Sequence, residues 1–199
     1  LHPVLTSFLA QYSDVLPKLS SEQISALEAH LDLLERWNRT INLTAIKSKN
    51  EAISRHIGES LFLAAHLPKT PITVCDLGSG GGFPGIPVAI ARPDCKVTLI
   101  ESDVRKGVFL REASRNLPNI TVLTRRFEAV QGEFDWLISR AVNLFKTLGG
   151  PKCENAAFLG ALEGASAAPK ASQAGLFRWR SIQIPWDNTS FLSLGERFT

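Results

Sequence analysis

The chemistry in this chain is concentrated in the stretch Val74-Cys75-Asp76-Leu77-Gly78-Ser79-Gly80-Gly81-Gly82-Phe83-Pro84-Gly85. Glycines set this densely after an apolar run let a backbone turn through positive φ and approach a ligand with no Cβ in the way. A second acid, Glu101, ends the run Leu99-Ile100-Glu101 and can accept a pair of hydroxyls as charge-assisted hydrogen bonds. Next comes a basic cluster, Arg105, Lys106, Arg111, Arg115, Arg125 and Arg126, in a segment where Glu112 is the only acid. Such a cluster is either a solvated helix face or a set of phosphate contacts. Cys75, Cys95 and Cys153 have no metal-ligand spacing and are odd in number, which argues against a disulfide framework and for a reducing compartment.

These residues need elements to position them. The 199 residues are 44% hydrophobic and 21% charged, the usage of an ordinary globular protein and not of a disordered, collagenous or coiled-coil one. The net charge of +3 is too small to name a partner by itself. No apolar run reaches the ~20 residues that span a bilayer, and no basic stretch followed by an apolar one marks a signal peptide. The absence of methionine, initiator included, implies that Leu1 is not the translated start.

From about Leu5 to Leu67 apolar residues recur at helical spacing, as in Ile24, Leu27, Leu31, Leu34 and Trp37. Ser20 or Ser21 before Glu22 and Gln23 places a helix start near residue 21, and a second helix is expected from Asn50 to His66. Trp37, in register with the leucines, reads as core. From Ile72 onward flat apolar runs suit strands buried on both faces: Ile72 to Leu77, Lys96 to Ile100, Ile120 to Leu123, Asp135 to Ser139 and Ala157 to Leu162. Helices over Pro84 to Ala91 and Val104 to Asn116 separate the first three, a βαβαβ order that makes a parallel, right-handed, doubly wound α/β sheet. Ser181 to Ile184 and Ser190 to Leu194 read as a closing hairpin, and Gly164 to Gly175, rich in Ala and Ser, as a loop.

The glycine turn therefore sits at the carboxyl edge of such a sheet, where these folds bind ligands. Two registers compete. Gly80-x-Gly82-x-x-Gly85 matches a dinucleotide fingerprint. Asp76-x-Gly78-x-Gly80-x-Gly82 matches the first motif of S-adenosylmethionine (SAM) methyltransferases, where the acid orients the cofactor's ammonium directly or through water. The second is favoured, because in the first Leu77, Gly78 and Ser79 intervene between strand and fingerprint and Pro84 falls inside it. Glu101 serves either cofactor and does not discriminate.

Several segments together resemble the bacterial small-subunit ribosomal RNA guanine-N7 methyltransferases, the RsmG or GidB family. They are Trp37-Asn38 with Ile41-Asn42-Leu43-Thr44, Arg55-His56-Ile57 with Ser60-Leu61, Asp76 to Pro87, Lys106 with Phe109-Leu110, Arg126 with Glu128, and Ser139-Arg140-Ala141. The turn running into Phe83-Pro84-Gly85-Ile86-Pro87 is the most specific. The resemblance implies a class I, Rossmann-like SAM-dependent methyltransferase fold of about seven strands, the last antiparallel, at 71–199 behind a helical cap at 1–70. It implies SAM contacts at Gly78, Phe83, Phe127, Glu128 and Arg140, beside the Asp76, Gly80 and Glu101 of the turn. Phe83 is expected against the cofactor's apolar parts, Glu128 near the adenine amine, and Arg140 in the same crevice. Two departures stand out: Glu59-Ser60-Leu61 where the family has Asp-Ser-Leu, and Glu163-Gly164 where it ends a strand with Lys-Gly.

The reaction implied is methyl transfer to guanine N7 of 16S ribosomal RNA, at its 530 loop, by a cytoplasmic monomer acting on the RNA or the small ribosomal subunit, with no metal and no membrane. Guanine N7 already presents a lone pair, so no general base is required and alignment is the main task. Arg126 and Arg140 are the first candidates for holding the RNA or target base. Arg105, Lys106, Arg115 and Arg125 extend the RNA-binding face. His56 is either a hydrogen-bonded residue fixing the helices to the sheet or an RNA or active-site contact, and Asn38, Asn42 and Thr44 form the joining loop. The competing readings are a methyltransferase of a small molecule or protein, a non-catalytic SAM- or RNA-binding module, and an NAD-dependent oxidoreductase.

Overall fold

The computed structural model describes residues 3–45, 48–140, 152–161 and 177–197. Helix α1 spans Pro3–Gln11 and α2 spans Ser21–Asn38. The start of α2 is set by a capping box: Ser20 Oγ accepts from Gln23 N at 3.3 Å, and Gln23 Oε1 accepts from Ser20 N at 2.8 Å. Its inward stripe is Leu27, His30, Leu31, Leu33 and Leu34. The second expected helix is present but not uniform. A short α3, Lys49–Glu51, capped by Ser48, runs into a π-helical segment, Ala52–Gly58, and then into α4, Glu59–His66, which ends before Pro68.

The strands are β1 Thr73–Leu77, β2 Lys96–Glu101, β3 Ile120–Thr124, β4 Glu133–Arg140, β5 Lys152–Ala161, β6 Phe177–Ile184 and β7 Asp187–Arg197. Helix α5, Gly85–Ala91, links β1 to β2, and α6, Val104–Ala113, links β2 to β3. They form one seven-stranded sheet in the order β3-β2-β1-β4-β5-β7-β6. The first five strands are parallel, and β7 runs antiparallel to both its neighbours. The chain thus has the expected Rossmann-like, class I methyltransferase architecture. The hairpin is tight, with Ile184 already opposite Asp187, so β7 folds back into the slot beside β5 and β6 becomes the edge.

Three sequence expectations shift. The run Ile120 to Leu123 is not buried on both faces: β3 is the edge strand and only half-buried. Helix α6 stops at Ala113, short of Asn116, with Ser114 Oγ bonded to the Leu110 carbonyl at 2.7 Å. Strand β5 begins at Lys152, well before Ala157. Gly164 to Gly175 and the Glu163-Gly164 pair lie outside the described residues.

One hydrophobic cluster joins the N-terminal helices to a face of the sheet, with Leu27, Leu31, Leu34, Ile57 and Leu61 packed among Ile86, Leu99 and Phe109. Trp37 belongs to it, its ring edge-on to Phe109 at 5.8 Å. The other face carries a smaller cluster that includes Cys75, Leu77, Ile100 and Phe177. The hairpin tip also reaches the helices, where Trp186 packs on Phe8 and Tyr12 and its Nε1 donates to the Ser54 carbonyl at 3.1 Å. Phe109 is fully buried where α2 and α6 meet. Phe109→Ala is expected to lower the unfolding free energy by about 3–5 kcal/mol in urea titrations. Val104→Ala, at a side chain that is 67% exposed on the same helix, is expected to stay within about 0.5 kcal/mol.

Candidate functional site

At the end of β1 the chain turns sharply and is sewn to β2. Gly78 N and Ser79 N both donate to the Ile100 carbonyl, at 2.9 and 3.0 Å. Gly80 N donates to Glu101 Oε2 at 2.9 Å, while Asp103 N donates to Glu101 Oε1 at 2.8 Å. Glu101 therefore holds the turn and the start of α6 together, and each of its oxygens keeps a lone pair for a ligand hydroxyl. Asp103 in turn caps α6, accepting from Arg105 N and Lys106 N.

The glycines divide their work. Gly80, at φ +53°, is open where a Cβ would project, its nearest neighbour being the Gly78 carbonyl at 3.7 Å. A Cβ at Gly81 would press on Leu34 at 2.9 Å, and one at Gly82, at φ +87°, on Ile86 at 2.5 Å. At Gly85 it would strike Leu99 at 2.3 Å and Asp76 Oδ2 at 2.6 Å. Only Gly80 of these four faces free space. The others let α2, α5 and the sheet close on the turn.

Asp76 lies beneath the turn and is fully buried. Its Oδ2 accepts from Gly85 N at 3.0 Å, and Oδ1 has no partner. Burial pushes its pKa up to about 7, against the lowering effect of the Gly85 and Ser79 hydrogen bonds. An unpartnered carboxylate oxygen below, a paired one at Glu101 and an open face at Gly80 suit a cofactor that brings an ammonium and a ribose.

Two side chains point elsewhere than the sequence reading placed them. Phe83 is not laid open to the crevice: its ring is buried between two imidazoles, His56 at 4.4 Å and His30 at 4.7 Å. Arg140 does not reach into the crevice either. Its guanidinium turns back to pair with Glu59 at 3.3 Å and to donate to the Arg55 carbonyl. The cause is burial, because a charge leaving the end of a central strand among apolar neighbours needs a partner, and Glu59 is the buried acid available. Burial, opposed by Arg140 and Arg55, raises the Glu59 carboxyl above its ordinary range. His56 is a structural contact with Thr44 Oγ1 at 2.7 Å. His30, whose Nε2 meets the Gly81 carbonyl at 2.8 Å, belongs to no sequence motif and lies on the buried stripe of α2.

Beyond β3 the chain makes a single 3-10 turn, Phe127–Ala129, with Glu128 exposed and Phe127 half-buried. Arg105, Arg115, Arg125 and Arg126 are exposed, Lys106 is half-buried, and Arg111 is held by Thr124 Oγ1 at 2.7 Å. Arg105 and Lys106 thus stand at the start of α6 and Arg125 and Arg126 just after β3, while Arg115 follows the far end of α6. Where α6 starts, Thr40, Ile41, Asn42, Asp103, Arg105 and Lys106 line a cavity of about 310 Å³. The loop that forms its other wall is braced by Asn38, whose Oδ1 accepts from Leu43 N and Thr44 N and whose Nδ2 donates to the Thr44 carbonyl. Among the described residues there is no cluster of potential metal ligands and no helix long and apolar enough to cross a membrane, and the three cysteines are buried and free.

Residues 23–151 match the family model GidB, described as rRNA small subunit methyltransferase G. Proteins named ribosomal RNA small subunit methyltransferase G are similar: that of Chromobacterium violaceum is 46% identical over 128 residues, 62% of this chain and 61% of that protein. The Xylella fastidiosa (strain M23) protein is 40% identical over 172 residues, 83% of this chain and 80% of its own length. The alignments with the Chromobacterium violaceum and Nitrosococcus oceani proteins span 61% and 59% of their lengths. Among solved structures, the 23S rRNA methyltransferase ErmE superposes with a TM-score of 0.55 at 18% identity, over 78% of this chain and 70% of that one. A SAM-dependent methyltransferase from Aquifex aeolicus gives 0.55 at 16% identity, over 74% and 93%. At such identities these two likenesses speak to the fold.

The buried Asp76 has a measurable consequence. A carboxyl whose folded pKa, about 7, lies above its unfolded value binds its proton more tightly when folded, so its contribution to stability is full in acid and lost as pH rises through 7. The ligand-free protein is expected to lose this contribution in denaturant titrations as pH rises from 3.8, the ordinary carboxyl value, to about 7, the folded one. Asp76→Asn, which keeps an acceptor for Gly85 N, is expected to flatten that dependence.

Proposed function

Because the chain belongs to the rRNA small subunit methyltransferase G (GidB) family, we propose that it transfers a methyl group from SAM to guanine N7 of 16S ribosomal RNA, in the 530 loop. The observation that carries the cofactor assignment is the turn itself: Gly80 opens to solvent while Glu101 fixes its amide from the next strand. SAM when bound would supply a methyl on a sulfonium: guanine N7 attacks that carbon with its own lone pair, the C–S bond breaks to leave a neutral thioether, and no proton has to be removed.

The protein's part is therefore to bind and align. Glu101 would accept the ribose hydroxyls, Asp76, buried beneath the turn, would orient the ammonium through water, Gly78 and Gly80 would admit the chain of the cofactor, and the Phe127-Glu128 turn would border the adenine. Phe83 and Arg140 act at one remove, through the imidazole stack and the Glu59 pair. Holding two reactants in line can supply up to roughly 7–11 kcal/mol of the barrier in model systems, which suits a site without a general base. The reading divides the chain into a helical cap, 1–70, and a SAM-binding sheet, 71–199.

Arg105, Lys106, Arg115, Arg125 and Arg126 form the RNA face, one end of which is the cavity between the 40–42 loop and α6. Contacts of this kind position a phosphate backbone without reading sequence. The partner is 16S rRNA, free or within the small subunit, and the protein acts as a cytoplasmic monomer. Methylation of small-subunit particles, naked rRNA and rRNA fragments with labelled SAM, followed by mapping of the modified nucleotide, tests the whole reading; label on protein or small molecules alone would overturn it.

Two variants separate the cofactor from the RNA. Gly80→Asp puts a Cβ and a carboxylate into the open face, so calorimetry is expected to show SAM affinity falling by more than about tenfold, equivalent to about 1.4 kcal/mol, with circular dichroism unchanged. Micromolar binding of NAD in place of SAM would reassign the turn. Arg126→Ala is expected to leave SAM affinity alone and to reduce the salt slope of RNA binding by about one.

A further inference from the structure

Part of the grip on the glycine turn comes from outside the sheet. Phe83 is stacked on both faces, by His56 at an interplanar angle of 14° and by His30 at 27°. His30 projects from α2, and because a carbonyl only accepts, its Nε2 carries the hydrogen donated to Gly81 at 2.8 Å. His56 projects from the π-helical segment and is itself anchored on Thr44, in the loop after α2. Both rings are buried, and burial lowers their pKa values to about 4 and about 3, so they are neutral aromatic plates at neutral pH. A neutral imidazole stacks on Phe83 without bringing a charge into the core.

The contrast along three residues is what matters. Gly80 is held by Glu101, from the sheet; Gly81 and Phe83 are held by His30 and His56, from the helices. Gly81 and Gly82 also lack the space for a side chain because α2 and α5 lie against them, with His30 Nε2 3.1 Å from the Cβ position of Gly82. The open face of Gly80 is thus defined by two clamps pulling from different elements, and slackening either lets the turn rotate.

We propose that His30 and His56 are positioning residues for the cofactor: by gripping Phe83 and the Gly81 carbonyl they hold Gly80 in its ligand-ready pose, so that SAM affinity depends on the N-terminal helices. Neither ring is a base or touches the reacting atoms. The proposal rests on the SAM reading of the turn.

The test compares wild type, His56→Ala, His56→Phe and Phe83→Leu in SAM calorimetry, in steady-state methylation of rRNA and in thermal unfolding. An aromatic pair contributes about 0.5–1.5 kcal/mol, so His56→Ala is expected to raise the Kd and KM for SAM about three- to tenfold. At saturating SAM its kcat and its KM for RNA are expected to stay within about twofold, a split that general loss of structure does not produce. His56→Phe restores a flat ring and is expected to recover most of the SAM affinity. Wild-type SAM affinity in folded His56→Ala would overturn the clamp, as would equal loss in His56→Phe. Should His56→Ala not fold, Phe83→Leu, which keeps the apolar volume but removes the stacked face, decides: weaker SAM binding supports the clamp, and unchanged binding overturns it. If wild type binds no SAM at all, the cofactor reading falls first and the clamp with it.

Discussion

The turn from Gly78 to Gly85 has to touch three things within eight residues: the strand beside it, the helices above it and a ligand in front. Close approach on every side is possible only where side chains are missing, and the structure gives each missing side chain a separate use. Gly85 admits Asp76 and Leu99, Gly81 admits Leu34, Gly82 admits Ile86, while Gly80 has no close neighbour at its Cβ position and Gly78, at φ +68°, is exposed. The rest of the fold follows from keeping that backbone fixed. Glu101 fixes it from β2, and the same carboxylate reaches Asp103, which caps α6.

Burial of polar groups is the second constraint. Asp76, Glu59, His30 and His56 are all buried close to where the helices meet the sheet. Each has one hydrogen-bonding or ionic partner and one side-chain atom without any, at Asp76 Oδ1, Glu59 Oε1, His30 Nδ1 and His56 Nδ1. Leaving a buried polar atom unpaired costs about 1–3 kcal/mol, so a fold built for stability alone would not collect four of them in one place. They lie in the seam between the N-terminal helices and the sheet, within the larger of the two hydrophobic clusters. The Glu59–Arg140 pair shows the same logic. Breaking a buried pair by removing one partner costs about 3–5 kcal/mol, so the two charges are retained together or lost together. Glu59 meets Arg140 at 3.3 Å.

Much of this was readable from residues. The flat apolar runs located the parallel strands, Ser20 with Gln23 located the start of α2, and the acid–glycine register located the turn, because each is a local pattern tied to a local geometry. Edge and centre were not readable. Ile120 to Leu123 looks like its neighbours but ends up half-buried, since position in the sheet depends on which strands pair and not on the strand's own composition. The π-helical segment was equally silent, although it brings His56 to Phe83 and turns the carbonyls of Ser54 and Arg55 toward Trp186 and Arg140.

The sequence by itself determined where the acid–glycine turn lies and which strands present it: Asp76, Gly80 and Glu101 at the carboxyl edge, with a basic run following. A short motif encodes its own backbone, so these assignments needed no distant contact. Only the tertiary structure decided the direction of the long or buried side chains. Phe83 and Arg140 sit at the right places along the chain and point away from the crevice, one into a pair of imidazoles and the other onto Glu59. Their partners are 27 or more residues distant along the chain in every case, and what a buried ring or charge faces is settled by the neighbours that desolvate it.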